Sequence, residues 1–238
     1  MGYGNILTPV LIFLGFNILV IIPAVLASQI IDGLATTAAF HYHGNITLTT
    51  HSEDTKIITT LSITGILGVT IALAAYLYIF TFYPLLLQAY VGITVILVGI
   101  IALVGYRWTF TWSKLAGFAT IGAINKSLTG GGYTPVVAGG HLISGRSPKQ
   151  AISCSNIPKA LISLLALLLY LILGQMVFDP LFLFLTITIT IGALLSSPLA
   201  SYLVKRADTQ KYTKTVSFVI ILLGVLTLLK TAAPLFLS

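Results

Sequence analysis

Gly122-Ala-Ile-Asn-Lys-Ser-Leu-Thr-Gly-Gly-Gly-Tyr-Thr-Pro135 is the stretch on which the reading of this chain turns. Three consecutive glycines, a lysine, an asparagine and a proline interrupt a sequence that is otherwise almost continuously apolar. Neither a lipid-facing helix nor a packed soluble core has an obvious use for that mixture. A helix broken at membrane depth, presenting polar groups to a ligand, does. The apolar arms on either side are short: Leu115–Leu128 is 14 residues and Tyr133–Ile143 is 11. A crossing takes about 20 residues at about 1.5 Å rise each, so neither arm spans a bilayer alone.

Composition supports the membrane setting. The chain has 238 residues, 57% hydrophobic and 7% charged, with a mean hydropathy of +1.05. Soluble domains average about 25% charged residues. The apolar runs are helical in length, which excludes the alternating segments of about 10 residues that build an outer-membrane barrel. Net charge is +7. In this setting that excess points to cytoplasmic loops, not to nucleic acid. A lone cysteine, Cys154, excludes an internal disulfide. The opening residues lack the basic start of a cleavable signal peptide.

In chain order, a short apolar piece runs to Phe16 and a longer one from about Ile18 to Phe40. A polar loop, His41–Lys56, precedes spans at about Ile57–Tyr83 and Leu85–Tyr106. Arg107–Lys114 leads into the broken stretch. Spans at about Gln150–Leu173, Leu181–Val204 and Thr215–Leu229 follow, with Lys205–Lys214 as a basic loop. The order of features repeats. Gly4-Asn-Ile-Leu-Thr-Pro-Val10 parallels Gly130-Gly-Gly-Tyr-Thr-Pro-Val136 at an offset of 126 (135 − 9). Gly15 and Gly145, then Gly44 and Gly174, match at offset 130, and Gly99 and Gly224 at offset 125. The chain therefore reads as an all-α polytopic protein of two repeats, 1–106 and 107–238, forming one transmembrane domain. Internal duplication of this kind is common in secondary transporters.

If each glycine- and proline-broken piece is a re-entrant hairpin, each repeat has a hairpin plus three crossings. Three is odd, so the repeats are inverted. With Lys205–Lys214 placed in the cytoplasm, Arg107–Lys114, Ser144–Lys149 and Lys56 fall there too, in keeping with the positive-inside rule. Reading Leu115–Ile143 as one crossing moves Lys56, Arg107 and Lys114 outside and weakens that bias. The first arm of the first hairpin is missing from this pattern, because the glycines arrive at the start of the sequence.

These residues resemble the sulfite exporter TauE/SafE family of membrane transporters. The second half carries Gly130-Gly-Gly-Tyr-Thr-Pro135 and then Gly145-Arg-Ser-Pro-Lys-Gln-Ala-Ile-Ser-Cys-Ser155. The first half carries Gly2-Tyr-Gly4, Thr8-Pro9, Gly15, Pro23, Ser28-Gln29 and His41-Tyr-His-Gly-Asn45. The resemblance covers nearly the whole chain and rests on the ordered pair of motifs. It implies movement of small sulfur oxyanions or organosulfonates across a cell membrane.

A lipid-embedded anion site needs groups that replace lost hydration. Backbone N–H groups freed at a glycine turn, helped by a helix N-terminus, are suited to that. The expected substrate-binding positions are Gly4, Asn5, Thr8, Ser28, Gln29, Asn125, Lys126, Gly130, Gly131, Gly132, Thr134, Ser155, Asn156 and Lys159. Close helix packing is the competing use for the glycines, and snorkelling to the surface is the competing use for Lys126. Lys159 corresponds to Gln29 at offset 130. Asp32, a carboxylate within a predicted span, is either a proton-coupling group or the neutralising partner of Lys126 or Lys159. His41, His43 and His51 with Glu53 and Asp54 are too loosely spaced to assign a metal, and no cofactor is expected. No nucleotide-binding motif is present. The implied partners are a small anion and the bilayer, no nucleic acid, with homo-oligomerisation left open. An intramembrane hydrolase using Ser144-Gly-Arg-Ser147 and the histidines, and a passive anion channel, are the rival classes.

Overall fold

The computed structural model describes residues 3–44, 46–104, 111–134, 136–137, 153–174, 176, 179–206 and 209–237. Every regular element among them is helical. They are α1 (Gly4–Phe13), α2 (Ile18–Tyr42), α3 (Glu53–Ala75), α4 (Pro84–Val104), α5 (Trp112–Thr129), α6 (Asn156–Ile172), α7 (Pro180–Arg206) and α8 (Thr209–Leu237). Tyr76–Phe80 extend α3 by one π turn, closed by the Thr81 N–H on the Tyr76 carbonyl at 2.9 Å. Among the described residues, three stretches are long and apolar enough to cross a membrane: Ile18–Tyr42, Glu53–Phe80 and Pro180–Pro198.

Local chemistry sets several of the boundaries. Asn17, in extended backbone, accepts the Leu19 N–H at 2.9 Å and starts α2. Ser52 accepts the Thr55 N–H at 3.2 Å, with Glu53 and Asp54 in the first turn of α3. Both side-chain cap and acidic charge suit the positive end of the helix dipole. Thr111 caps α5, which therefore begins three residues before the expected Leu115. Gly44 and Gly174, matched at offset 130, follow the ends of α2 and α6 with φ of +67° and +65°. Those left-handed values fit glycine helix stops.

Two expected boundaries differ. Lys205–Lys214 is mostly helix, shared between the end of α7 and the start of α8. Polar residues alone do not stop a helix that leaves the apolar region, since Lys and Arg are good helix formers. Gly4 also lies inside α1, with the Ile6 and Leu7 N–H groups both on the Tyr3 carbonyl. The first half thus offers a helix start where the second half offers a glycine turn.

Polar and apolar residues are distributed as in a lipid-embedded bundle. Ile63, Leu67, Leu97, Phe184, Leu195 and Phe218 are exposed, whereas Ser28, Gln29, Lys126, Ser155 and Ser163 are buried. Exposed large apolar surface of this extent needs an apolar surround. Inside, α2 packs on α6 and α7, α3 on α5 and α6, and α4 on α8. The α4–α8 pair is close because its contact positions are glycines. A Cβ on Gly224 would lie 2.9 Å from the Gly92 carbonyl, and one on Gly99 would lie 3.1 Å from the Ser217 carbonyl. In membranes, where burial gives helices little mutual drive, small residues allow that approach.

Candidate functional site

The interruption seen in the sequence is a true break in the helix. α5 ends at Gly130, whose φ of +74° is left-handed and whose N–H caps the Lys126 carbonyl at 2.8 Å. Gly132 is again left-handed at +89°. Helical backbone resumes at Tyr133–Thr134, with the Val136 N–H on the Gly132 carbonyl at 3.3 Å. The first N–H groups of that new turn have no acceptor within their own helix. The Gly131 N–H is held by the Thr129 hydroxyl at 3.1 Å.

The start of α1 lies against this break. A Cβ on Gly131 would come within 2.7 Å of the Gly4 carbonyl carbon and 2.8 Å of the Asn5 nitrogen, and one on Gly4 would overlap the Gly130 carbonyl. Only glycine permits so close a crossing of two main chains. Gly4, Asn5 and Gly130 to Gly132 therefore meet, although their sequence positions are more than 100 apart.

Lys126 is 1% exposed. Burial this deep excludes the snorkelling alternative. Its ammonium donates to Gln29 Oε1 on α2, and Gln29 Nε2 donates to the Gly130 carbonyl at 2.8 Å. One amide thus ties the buried cation to the left-handed turn. Gln29, Lys126, Gly131, Gly132, Tyr133, Thr134 and Lys159 line one cavity of about 10 Å³. That is room for roughly one water, so an oxyanion enters only if these elements separate. The positions matched at offset 130, Gln29 and Lys159, reach this cavity from α2 and α6.

Beside the cavity, Lys159 Nζ lies 2.6 Å from Asp32 Oδ2 in a buried ion pair. Ser197 on α7 donates to Asp32 Oδ1 at 3.0 Å, and Thr36 donates to the same oxygen at 3.1 Å. Of the two lysines considered as partners of Asp32, the pair is with Lys159. A buried ion needs a counter-charge and hydrogen bonds on its remaining lone pairs, and Asp32 has both. Lys126 has a neutral amide as its side-chain partner. Together the two ammonium groups and one carboxylate carry a formal charge of +1.

The other expected positions divide. Thr8 and Asn125 are buried beside the turn: Thr8 Oγ1 would lie 3.3 Å from a Cβ on Gly130, and Asn125 Nδ2 packs against Gly132. Asn5 Nδ2, Thr8 Oγ1, Asn125 Oδ1 and Asn156 Nδ2 are buried without a hydrogen-bond partner among the described residues. Unpaired buried polar atoms are costly and usually meet a ligand or water in the working protein. Ser155 caps α6, its carbonyl accepting the Lys159 N–H at 3.0 Å. Ser28 faces elsewhere, bonded to the Val25 carbonyl at 2.8 Å and to the Tyr3 hydroxyl at 2.7 Å. Thr36, Ser197 and Tyr133 were not among the expected positions. Thr36, four residues after Asp32 on one helix face, was legible in the spacing; Ser197 was not.

His41, in the last turn of α2, and His43 and His51 beyond it are exposed. The Nδ1 atoms of His41 and His43 are 3.4 Å from the Ile46 carbonyl and 2.8 Å from the Ala39 carbonyl. Ser144–Ser147, Gly2 and Pro135 lie outside the described residues. A protein-family model described as Sulfite exporter TauE/SafE matches residues 1–227. No curated protein and no solved structure matches the chain significantly.

Proposed function

Because the chain belongs to the sulfite exporter TauE/SafE family, a family of membrane transporters of sulfur anions, we propose that it is a secondary transporter for a small sulfur oxyanion or organosulfonate. The observation that carries this reading is Lys126: a fully buried cation, held by a neutral amide, at a cavity that also meets a second ammonium and the start of a helical turn. An anion there gains charge-assisted hydrogen bonds that a neutral ligand does not. Gly130 turns the chain at the cavity, Gly131 and Gly132 line it ahead of the turn whose first N–H groups lack a helical acceptor, and Gln29, Thr134 and Lys159 complete its lining. Gly4, Asn5, Thr8, Asn125, Ser155 and Asn156 form the surround, with unpaired donors from Asn5 and Asn156. Ser28 acts from further out, by holding Tyr3. Asp32 is the coupling group.

Alternating access of two inverted repeats, 1–106 and 107–238, is the motion that fits. Exchanging the halves turns the α2–α6 and α4–α8 contacts into themselves and the α2–α7 contact into the α3–α6 contact. The repeat reading is supported by that pattern and by the shared helix-ending role of Gly44 and Gly174. In this scheme segments 107–114, 144–149 and 205–214 lie on the cytoplasmic side of the cell membrane. Proteoliposomes carrying the wild-type protein are expected to accumulate labelled sulfite or methanesulfonate saturably against a gradient. Lys126→Met protein that is folded but inactive, with no anion-induced rise in melting temperature, is the expected result. Full transport by Lys126→Met refutes the site, and flux that never saturates or concentrates favours a channel.

A further inference from the structure

Lys159 faces two ways. Its ammonium is 2.6 Å from Asp32 Oδ2, and the same side chain lines the cavity beside Lys126. An ammonium already bound to a carboxylate offers an incoming anion little, and the carboxylate repels that anion. Neither effect is screened, because both side chains are buried, at 7% and 9% exposure. The groups bearing on Asp32 are Lys159 from α6, Ser197 from α7, Thr36 from α2 itself, Lys126 of α5 beyond Gln29, and Tyr3 ahead of α1 by way of Ser28.

We infer that Lys159 exchanges partners: a proton added to Asp32 releases the Lys159 ammonium to a monovalent oxyanion beside Lys126, so that anion and proton bind together. This rests on the anion-site reading above. The proton comes from water on the side to which the site is open and adds to Oδ2 of the carboxylate. Lys159 keeps its three protons and replaces its bond to Oδ2 with one to an oxygen of the anion. The hydroxyls of Ser197 and Thr36 stay on Oδ1, so the neutral acid keeps its place on α2. Formal charge decides the substrate class. With both lysines protonated and no ligand, Lys126, Lys159 and Asp32 sum to +1. With a proton and a monoanion bound they also sum to +1. The buried cluster then crosses between its two accessible states at constant charge, which a dianion with one proton does not achieve. By linkage, each ligand raises affinity for the other by the same factor, and that coupling drives symport, not exchange.

The test is a binding titration of purified full-length protein with methanesulfonate, which stays a monoanion across the working range of pH. In weak buffer, wild type takes up about one proton per anion bound, and its affinity falls about tenfold per pH unit on the alkaline side. Asp32→Asn, a fixed neutral mimic of the acid, binds with no proton uptake and no such slope. If Asp32→Asn does not fold, Ser197→Ala removes a bond that favours the carboxylate, and its anion binding persists to higher pH than that of wild type. Binding by wild type without proton uptake overturns the exchange but leaves the anion site standing. So does a folded Asp32→Asn protein that cannot bind, or a Ser197→Ala profile identical to wild type. Failure of methanesulfonate, sulfite and thiosulfate alike to bind wild type overturns the site itself, and this inference with it.

Discussion

Gly131→Ala tests the meeting of the two halves most directly. The added methyl would lie 2.7 Å from the Gly4 carbonyl carbon and 2.8 Å from the Asn5 nitrogen. Carbon atoms settle at roughly 3.5–4.0 Å, so α1 and the turn must part by about 1 Å. Both obstructing atoms belong to main chain, and neither can rotate aside as the Asn5 side chain can. Inserting a methyl into a packed contact of this kind costs about 1–3 kcal/mol. For a chain of this size each kcal/mol moves the melting temperature by about 2–4 °C, giving an apparent drop of about 2–12 °C. Gly192→Ala is the control: it lies in α7 with nothing within 4 Å of an added Cβ, so helix propensity makes it neutral or stabilising by up to about 1 kcal/mol. Intrinsic fluorescence during heating of both proteins in one detergent reads the difference. The separation also displaces Gly131, which lines the cavity, so any stabilisation conferred by sulfite is expected to shrink. A Gly131→Ala protein as stable as Gly192→Ala, with undiminished anion response, refutes the packing of α1 on the turn.

Removing one member of the Asp32–Lys159 pair leaves a buried charge alone. Lys159→Met is therefore expected to cost about 3–5 kcal/mol, and the double variant Asp32→Asn/Lys159→Met to recover most of that loss; additive losses in a double-mutant cycle refute the pair. Lys230 on α8 donates to the Ile12 and Phe13 carbonyls at 2.7 and 2.6 Å, closing the end of α1. A cation at a helix C-terminus is worth about 1 kcal/mol, so Lys230→Met speeds amide exchange in α1 several-fold while Lys230→Arg preserves protection; equal exchange in all three proteins refutes the cap. In a Cys154→Ala background, single cysteines at positions 110 and 147 are labelled by an impermeant maleimide from the same side of the membrane. Labelling from opposite sides requires a crossing between them and removes the hairpin scheme.

Much of the candidate site is legible in the chain's own residue order. Gly130–Gly132 cannot continue a helix, and Lys126 and Asn125 one turn earlier could only be buried or snorkelling. Repeat spacing brings Gln29 and Lys159 into correspondence, and both reach the cavity. What spacing does not supply is orientation. Ser28 sits next to Gln29 in sequence, yet adjacent helix positions point about 100° apart, so one reaches the turn and the other reaches Tyr3. The basic stretch Lys205–Lys214 reads as a loop because charge marks an exit from lipid, and exit from lipid is not an end of helix.

The sequence by itself determined that this is a helical membrane protein with a broken helix at Gly130–Gly132, because composition and backbone freedom are local properties. It also held the ordered motifs by which the chain is placed in its family. Only tertiary structure decided which carboxylate meets which cation. Lys159 and Lys126 are both lysines within apolar helices, and nothing in their neighbours distinguishes one from the other. The pairing of Asp32 with Lys159, and its completion by Ser197 at a separation of 165 residues, arise from the way α2 packs on α6 and α7. Low dielectric makes that choice consequential: one lysine is neutralised by a carboxylate, and the other is left with an amide beside a small cavity.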